Sequence, residues 1–202
     1  MLSLVSPLLA PDLDPDPVEH IAARDDIAVL LVCEHAGQAV PVALDGLGLE
    51  GDAIDLHVGW DIGAAAVIRA MARDLGCAAI LQRYSRLVID CNRPTSAPDA
   101  IPQASDGVAV PGNTGLTAAD RKQRIDEIFT PFHDAVTAAR SARRLLLLSI
   151  HSFTPEMRTR PGLRPWHIGF LCRNDTATSQ ALLDAVEAER PDMKLALNEP
   201  YQ

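Results

Sequence analysis

Two histidines stand directly behind apolar runs: Glu34-His35-Ala36-Gly37 follows AVLLVC (28–33), and His151-Ser152-Phe153 follows LLLLSI (145–150). Imidazole at the end of a buried strand, beside a small residue, is a common way to hold zinc, and two strand ends of one sheet can converge on one point. A catalytic zinc takes a third N or O ligand, and an acidic one leaves the ion a stronger Lewis acid than a thiolate set would. His57 and Asp61 lie four residues apart at the expected start of a helix, hence on one face, which makes Asp61 the candidate third ligand. A carboxylate at that place is also what the helix macrodipole favours without any metal. Glu34 is the other nearby acid, but next to His35 in an extended segment its side chain is expected to point the opposite way.

A third group is of another kind. Arg83, Arg86 and Arg93 cluster within eleven residues, and Asn92-Arg93 follows the run RLVIDC (86–91). A fixed guanidinium and an amide at a strand end together grip a carboxylate, and Asp90, one residue inside, is placed to orient an arginine. Other chemistries leave no trace. GxSxG, GxGxxG after a strand, GxxxxGK[ST] and HExxH are all missing from the sequence. Cys33 and Cys172 lie within or at the end of apolar runs, which argues against a thiol nucleophile. The four cysteines have no CxxC spacing and read as reduced core thiols.

These residues need a scaffold, and the patterning predicts one. The runs 28–33, 77–82, 86–91, 145–150 and 167–172 read as strands apolar on both faces, as in a covered sheet. Between them, Val58 to Leu75 has helical spacing and stops at Gly76. A second helix starts at Thr117 in a Thr-x-x-Asp capping pattern and should kink at Pro131. A third runs from about Thr178 to Arg190. Strands alternating with helices imply an α/β three-layer domain with a mostly parallel or mixed central sheet, spanning 27–202. Residues 1–26, acidic and proline-rich, are expected to form an extended arm outside the core. The stretch from Pro94 to Gly115 is a long loop with four prolines.

Composition narrows the partners. Eighteen Lys and Arg against 27 Asp and Glu give a net charge of −9 without a basic stripe, so nucleic acid is not expected. The run Ile27 to Cys33 is closed by Asp26 and Glu34, far short of the roughly 20 residues that span a bilayer, and the N-terminus lacks a signal peptide's positive start. The chain is expected to be cytoplasmic, with no membrane partner. LALNEPY (195–201) reads as a strand running to the terminus, so a covering element of some tens of residues is expected beyond Gln202.

VCEHAGQAVP (32–41), HVGWDIGA (57–64), SRLVIDCNRP (85–94), VPGN (110–113), IHSFTP (150–155), RPW (164–166) and NEPY (198–201) occur in that order. Together they resemble the N-formylglutamate amidohydrolase family, in its predicted-hydrolase branch, over about residues 28–201. That family is similar to zinc carboxypeptidases and aspartoacylases. The resemblance implies a carboxypeptidase/phosphorylase-like fold, zinc held by His35, Asp61 and His151, and a substrate-carboxylate clamp of Asn92 and Arg93 with Arg86. It also implies a small N-acyl amino acid, N-formylglutamate in the namesake reaction, as substrate. Two departures stand out. Glu34-His35-Ala36-Gly37 replaces a Pro-His-Ser-Gly type motif, and Gln38 occupies the acidic place of the relatives' HxxE. Family members continue past NEPY to a further acid that serves as general base; within this chain Glu199, or else Glu156, is the expected base. The competing reading is a non-catalytic domain that binds a carboxylated ligand.

Overall fold

The computed structural model describes residues 6–142 and 144–199. Backbone contacts divide the chain into two compact units, Met1–Phe153 and Thr154–Gln202. In the first, β1 (Val18–Ile21), β2 (Val29–Cys33), β3 (Ala78–Gln82) and β6 (Leu146–Ser149) form a mixed sheet in the order β1-β3-β2-β6. β2 is parallel to both neighbours, with Leu31 opposite Ala79 on one side and Leu148 on the other, whereas β1 runs antiparallel to β3. The alternation along β2 explains the layers. Leu31 and Cys33 pack with Ala64, Ala65, Ile68 and Ala72 of α1 (Ala64–Leu75). Leu30 and Val32 face the other way, onto Phe132, Val136 and Ala139 of α3 (Thr130–Ala142). A strand covered by a helix on each face must be apolar at every position, which is why AVLLVC shows no polar alternation. α1 ends where expected, at Gly76 in the left-handed conformation with φ 68°.

The second unit carries β7 (Ile168–Phe170), α4 (Thr176–Glu189) and β8 (Leu195–Leu197), with β7 and β8 parallel. Asp175 caps α4 by accepting from the Thr178 amide. β8 is shorter than LALNEPY suggests because Asn198 turns to φ 56°; Pro200 and Tyr201 lie outside the described residues. No helix among the described residues is long and apolar enough to cross a membrane.

Three expectations are corrected. Part of the segment assigned to an outer arm is structural: β1 pairs with β3, Leu8 is buried, and the Leu8 and Leu9 amides donate to the Glu127 carboxylate at 2.9 Å each. The proline-rich stretch after Pro94 holds a short hairpin of β4 (Ala104–Ser105) and β5 (Val108–Ala109). RLVIDC is not a strand. Leu87, Val88 and Ile89 are all buried, as strand residues would be, but they pack in a separate core with Leu8, Leu47, Tyr84 and Ile128.

The backbone of that segment is satisfied by side chains instead of a neighbouring strand. Arg124, the last residue of α2 (Ala118–Arg124), is 1% exposed and donates to the Val88 carbonyl at 2.9 Å and to Asn113 Oδ1 at 2.6 Å. Asn113 in turn donates to the carbonyls of Leu87 and Pro102, at 2.8 and 2.6 Å. Burial lowers the Arg124 pKa to about 10, so the guanidinium stays charged at neutral pH. α2 starts with the capping box expected at Thr117 and Asp120. It passes into a π turn over Ile125–Phe129, directly ahead of Pro131, whose missing N–H cannot continue the ordinary ladder.

Arg124→Met removes the guanidinium and with it the donors to the Val88 carbonyl and to Asn113 Oδ1. A loss of about 2–4 kcal/mol in stability is expected from unpaired buried acceptors, measured by urea unfolding. The exposed Lys122→Met control should change it by less than about 0.5 kcal/mol.

Candidate metal centre

His35 and His151 project from the carboxyl ends of adjacent parallel strands, β2 and β6. The chain turns at Glu34 and His35, and the turn is pinned against the segment after β3, where the Ala39 amide donates to the Arg83 carbonyl at 3.1 Å. Gly37 is required there, because a Cβ would sit 2.0 Å from that same oxygen. Asp61 lies in the turn ahead of α1, and its amide donates to the His35 carbonyl at 2.9 Å, so backbone ties two of the three candidate ligands together.

The side chains then close a cluster. His35, 2% exposed, places Nε2 2.7 Å from Asp90 Oδ1 and Nδ1 3.5 Å from Asp61 Oδ1. His151 places Nδ1 2.7 Å from Asp61 Oδ2 and Nε2 3.2 Å from Glu34 Oε2. The two rings stand 4.9 Å apart, centroid to centroid. Each imidazole thus has one carboxylate near Nε2 and shares Asp61 at Nδ1, so a cation seated among the Nδ1 atoms would leave the Nε2 atoms to carry the protons. One ligand atom from each of His35, Asp61 and His151 lies within 4.8 Å of the others.

The donor set fits a divalent cation. His35 Nδ1 is buried without a hydrogen-bond partner, a costly condition that a cation facing it would relieve. Around the two rings, three carboxylates (Glu34, Asp61, Asp90) gather beside a single guanidinium among the described residues, Arg86, 2.9 Å from Asp90 and 3.5 Å from Asp61. Two nitrogens and one carboxylate oxygen are the ligands of an open zinc site.

Electrostatics follow from this crowding. Burial by itself would raise the Asp61 carboxyl, but the hydrogen bonds from His151 and His35 outweigh it and hold Asp61 far below the usual carboxylate range. Asp90 is held equally low by His35 and Arg86 against the same burial. Glu34 is lowered by His151 and Ser149, again against burial. Burial opposes the charge on His151, and its interactions with the Asp61 and Glu34 carboxylates, which accept from the ring, overcome it, raising its pKa to about 9. Ser149 Oγ lies 3.0 Å from His151 Nε2, superficially a Ser-His-Asp relay. That arrangement fails as a nucleophile: the hydroxyl is 2.6 Å from Glu34 Oε2, to which it donates, and without a metal the carboxylates on either side favour the protonated form of His151, which cannot act as a base. The thiol reading fails too, since burial pushes Cys33 and Cys91 up to about 12.

Of the sequence candidates, His35, Asp61, His151 and Arg86 come together. Asn92 and Arg93 follow Asp90 in the same loop and are both exposed; Arg93 Nε is 3.4 Å from Asp99, itself exposed. Asp90 does orient an arginine, Arg86, and it also holds His35. Glu199 belongs to the second unit, directly after β8. Two readings are corrected. His57 does not share a face with Asp61, because α1 begins only at Ala64, and it pairs instead with Asp106 at 3.0 Å. Glu34 does not point away: strand alternation ends at Cys33, and the turn swings its carboxylate to His151. The signal available in the sequence was Ala36-Gly37, small residues that mark a turn.

In metal-stripped protein the raised His151 pKa contributes stability that is complete below the unfolded value of about 6.5 and is lost as pH rises through about 9. The melting temperature of chelator-treated protein should fall between these values. His151→Gln should flatten that fall, as scanning calorimetry across pH 6–10 would show.

Similarity to known proteins extends over nearly the whole chain. The profile of the N-formylglutamate amidohydrolase family matches residues 27–202. The crystal structure of gene product Atu2144 from Agrobacterium tumefaciens is similar at 37% identity, over 96% of this chain and 77% of that one, with a TM-score of 0.88. The crystal structure of N-formylglutamate amidohydrolase from Ralstonia eutropha JMP134 shares the fold at 22% identity, over 93% of this chain and 78% of that one, with a TM-score of 0.61. No curated protein matches the sequence. The α/β fold, with its mixed sheet and covering helices, and a sequence match over nearly the whole chain lead to one conclusion: the chain belongs to the N-formylglutamate amidohydrolase family.

Proposed function

We propose that the protein is a zinc-dependent amidohydrolase that hydrolyses a small N-acyl amino acid, N-formylglutamate or a close relative, to a carboxylic acid and a free amino acid. The observation that carries this reading is the convergence of one possible ligand atom each from His35, Asp61 and His151 within 4.8 Å, beside a His35 Nδ1 that is buried without a hydrogen-bond partner. Zinc held by these three residues supplies Lewis acidity for the amide carbonyl and for water.

The chain's own residues do the rest. Arg86 is engaged by Asp90 and Asp61, so it fixes the acids that frame the centre and presents its remaining edge to the substrate side. Arg93, half exposed and held only loosely by Asp99, is the guanidinium free to take a substrate carboxylate in a bidentate grip, with the Asn92 amide beside it. Anchoring the carboxylate fixes the scissile bond relative to the metal centre. Glu34, Asp61 and Asp90 are each engaged with a histidine; the proposal of Glu199 as the proton acceptor for water rests on the sequence reading.

His151→Ala should reduce bound zinc from about one equivalent to near none and abolish hydrolysis of N-formylglutamate, read by elemental analysis and by formate release. Zinc retained in full by this variant would refute the ligand set. A parent that binds N-formylglutamate without zinc and without turnover would be a binding domain.

Arg93→Lys should cost about 1–3 kcal/mol in kcat/KM for a carboxylated substrate and leave an N-acyl amine without a carboxylate unaffected. Equal losses on both substrates would make Arg93 structural. Glu199→Gln should lose turnover while keeping its zinc, because a base does not hold the metal.

A further inference from the structure

We infer that residues 6–17 form a strap that opens and closes as one unit with the segment 84–91, and that Leu8 and Glu127 are thereby positioning residues for Arg86 and Asp90. The strap precedes the residues matched by the family profile, 27–202, and has no role in the hydrolysis as proposed. It lies outside any strand or helix and is held by groups from far along the chain. Gln123 Nε2 donates to the Ser6 carbonyl at 2.7 Å, and the Leu8 and Leu9 amides donate one each to the two oxygens of Glu127 at 2.9 Å. Farther along, Asp14 accepts from the Val42 amide at 2.9 Å, and the Pro15 carbonyl from the Tyr84 hydroxyl at 2.6 Å. Glu127 belongs to the π turn over Ile125–Phe129, so the first half of the strap hangs on that turn and the second half on the residue that opens the segment 84–91.

Leu8 makes this more than an attachment. Only 7% exposed, it belongs to the core that contains Leu87, Val88 and Ile89. Arg86 and Asp90, on either side of those three in the chain, meet each other at 2.9 Å and go on to Asp61 and His35. One short segment thus has its apolar side chains in a core that the strap helps to close and its charged ones in the candidate metal centre. No ladder holds the segment; the Val88 amide donates to the Ser85 carbonyl at 2.9 Å and the Asp90 amide to the Ala100 carbonyl at 2.8 Å. Withdrawing Leu8 leaves a hole in the packing that keeps Leu87–Ile89 in place. The central strands are packed by two other clusters of buried residues, so the sheet stays closed when strap and segment open.

Amide hydrogen exchange of the full chain, resolved by residue with NMR, tests this. Leu8→Ala should speed exchange of the Val88 and Asp90 amides by roughly 30-fold or more, because an emptied leucine site enters the opening equilibrium. Glu127→Gln, which keeps one acceptor oxygen, should speed the same amides by about 3–10-fold. In both variants Leu31 and Leu81, in the central strands, should stay within about twofold of the parent, and Leu8→Met should restore the parent rates. The reach to the metal centre is read in the opposite direction, in an arm that rests on the metal-centre reading. Zinc at about 100 times its Kd should slow the Leu8 and Leu9 amides by up to about 100-fold, in step with Val88 and Asp90, because only the closed form holds Asp90 against His35. Parent rates at Val88 and Asp90 in both Leu8→Ala and Glu127→Gln, or an equal rise at Leu31 and Leu81, would overturn the inference. So would zinc that protects Val88 and Asp90 without protecting Leu8 and Leu9. A parent that takes up no zinc refutes the metal-centre reading instead, and the two substitutions then decide the inference. If Leu8→Ala proves unfolded, Glu127→Gln decides it.

Discussion

A carboxylate held between two imidazoles is stable inside a protein only if something keeps all three from water and from one another's alternatives, and Asp61 sets that demand here. Burial opposes its charge, and the histidines on both sides restore it. Each histidine then needs a second partner, because an imidazole that gives one nitrogen to the centre must do something with the other. Asp90 and Glu34 meet that need. The result is an alternating chain of acid and imidazole, in which each added carboxylate raises the negative potential and makes a cation at the middle more favourable.

That chain of contacts explains the demands on the surrounding loops. The five residues come from turns after β2 and β6, the turn before α1, and the irregular segment between β3 and the hairpin, so no regular element holds them in register. The work is done by specific backbone bonds: Asp61 to His35, Ala39 to Arg83, Arg86 to Gly59. It is also done by the Arg124 and Asn113 side chains, which tie the carbonyls of Leu87 and Val88 just behind Arg86 and Asp90. A buried guanidinium among neutral acceptors is costly on its own account. Here it replaces the neighbouring strand that the apolar run 86–91 lacks.

The separation between the candidate metal centre and the proposed carboxylate clamp follows from the same loop. Asp90, buried, looks inward to His35; Asn92 and Arg93, exposed, look outward. Within a few residues the chain passes from an internal support to an exposed pair, the proposed carboxylate clamp, with the partly exposed Arg86 nearby.

Periodicity and composition were enough to read the α/β class, the strands β2, β3, β6 and β7, the cap at Thr117 and the stop at Gly76, because burial on both faces and terminal capping leave local marks. The candidates His35 and His151 were legible for the same reason: they directly follow apolar runs, and strand ends in such sheets face one side. Asp61 was picked out by a helix spacing that does not exist; the turn before α1, tied by backbone to His35, is what brings it in. Local pattern could not separate RLVIDC from a strand, since burial reads alike whether the backbone is satisfied by a neighbouring strand or by Arg124 and Asn113 from far along the chain. Nor could it place VEHI in the sheet, four residues of mixed polarity whose pairing with β3 is set by contacts some sixty residues away. Glu34 illustrates the limit most directly. Its sequence neighbours say only that it adjoins His35, while the place of its carboxylate depends on where the chain turns after Cys33 and on Ser149 and His151, 115 and 117 residues later, and such distances are closed only by the tertiary fold.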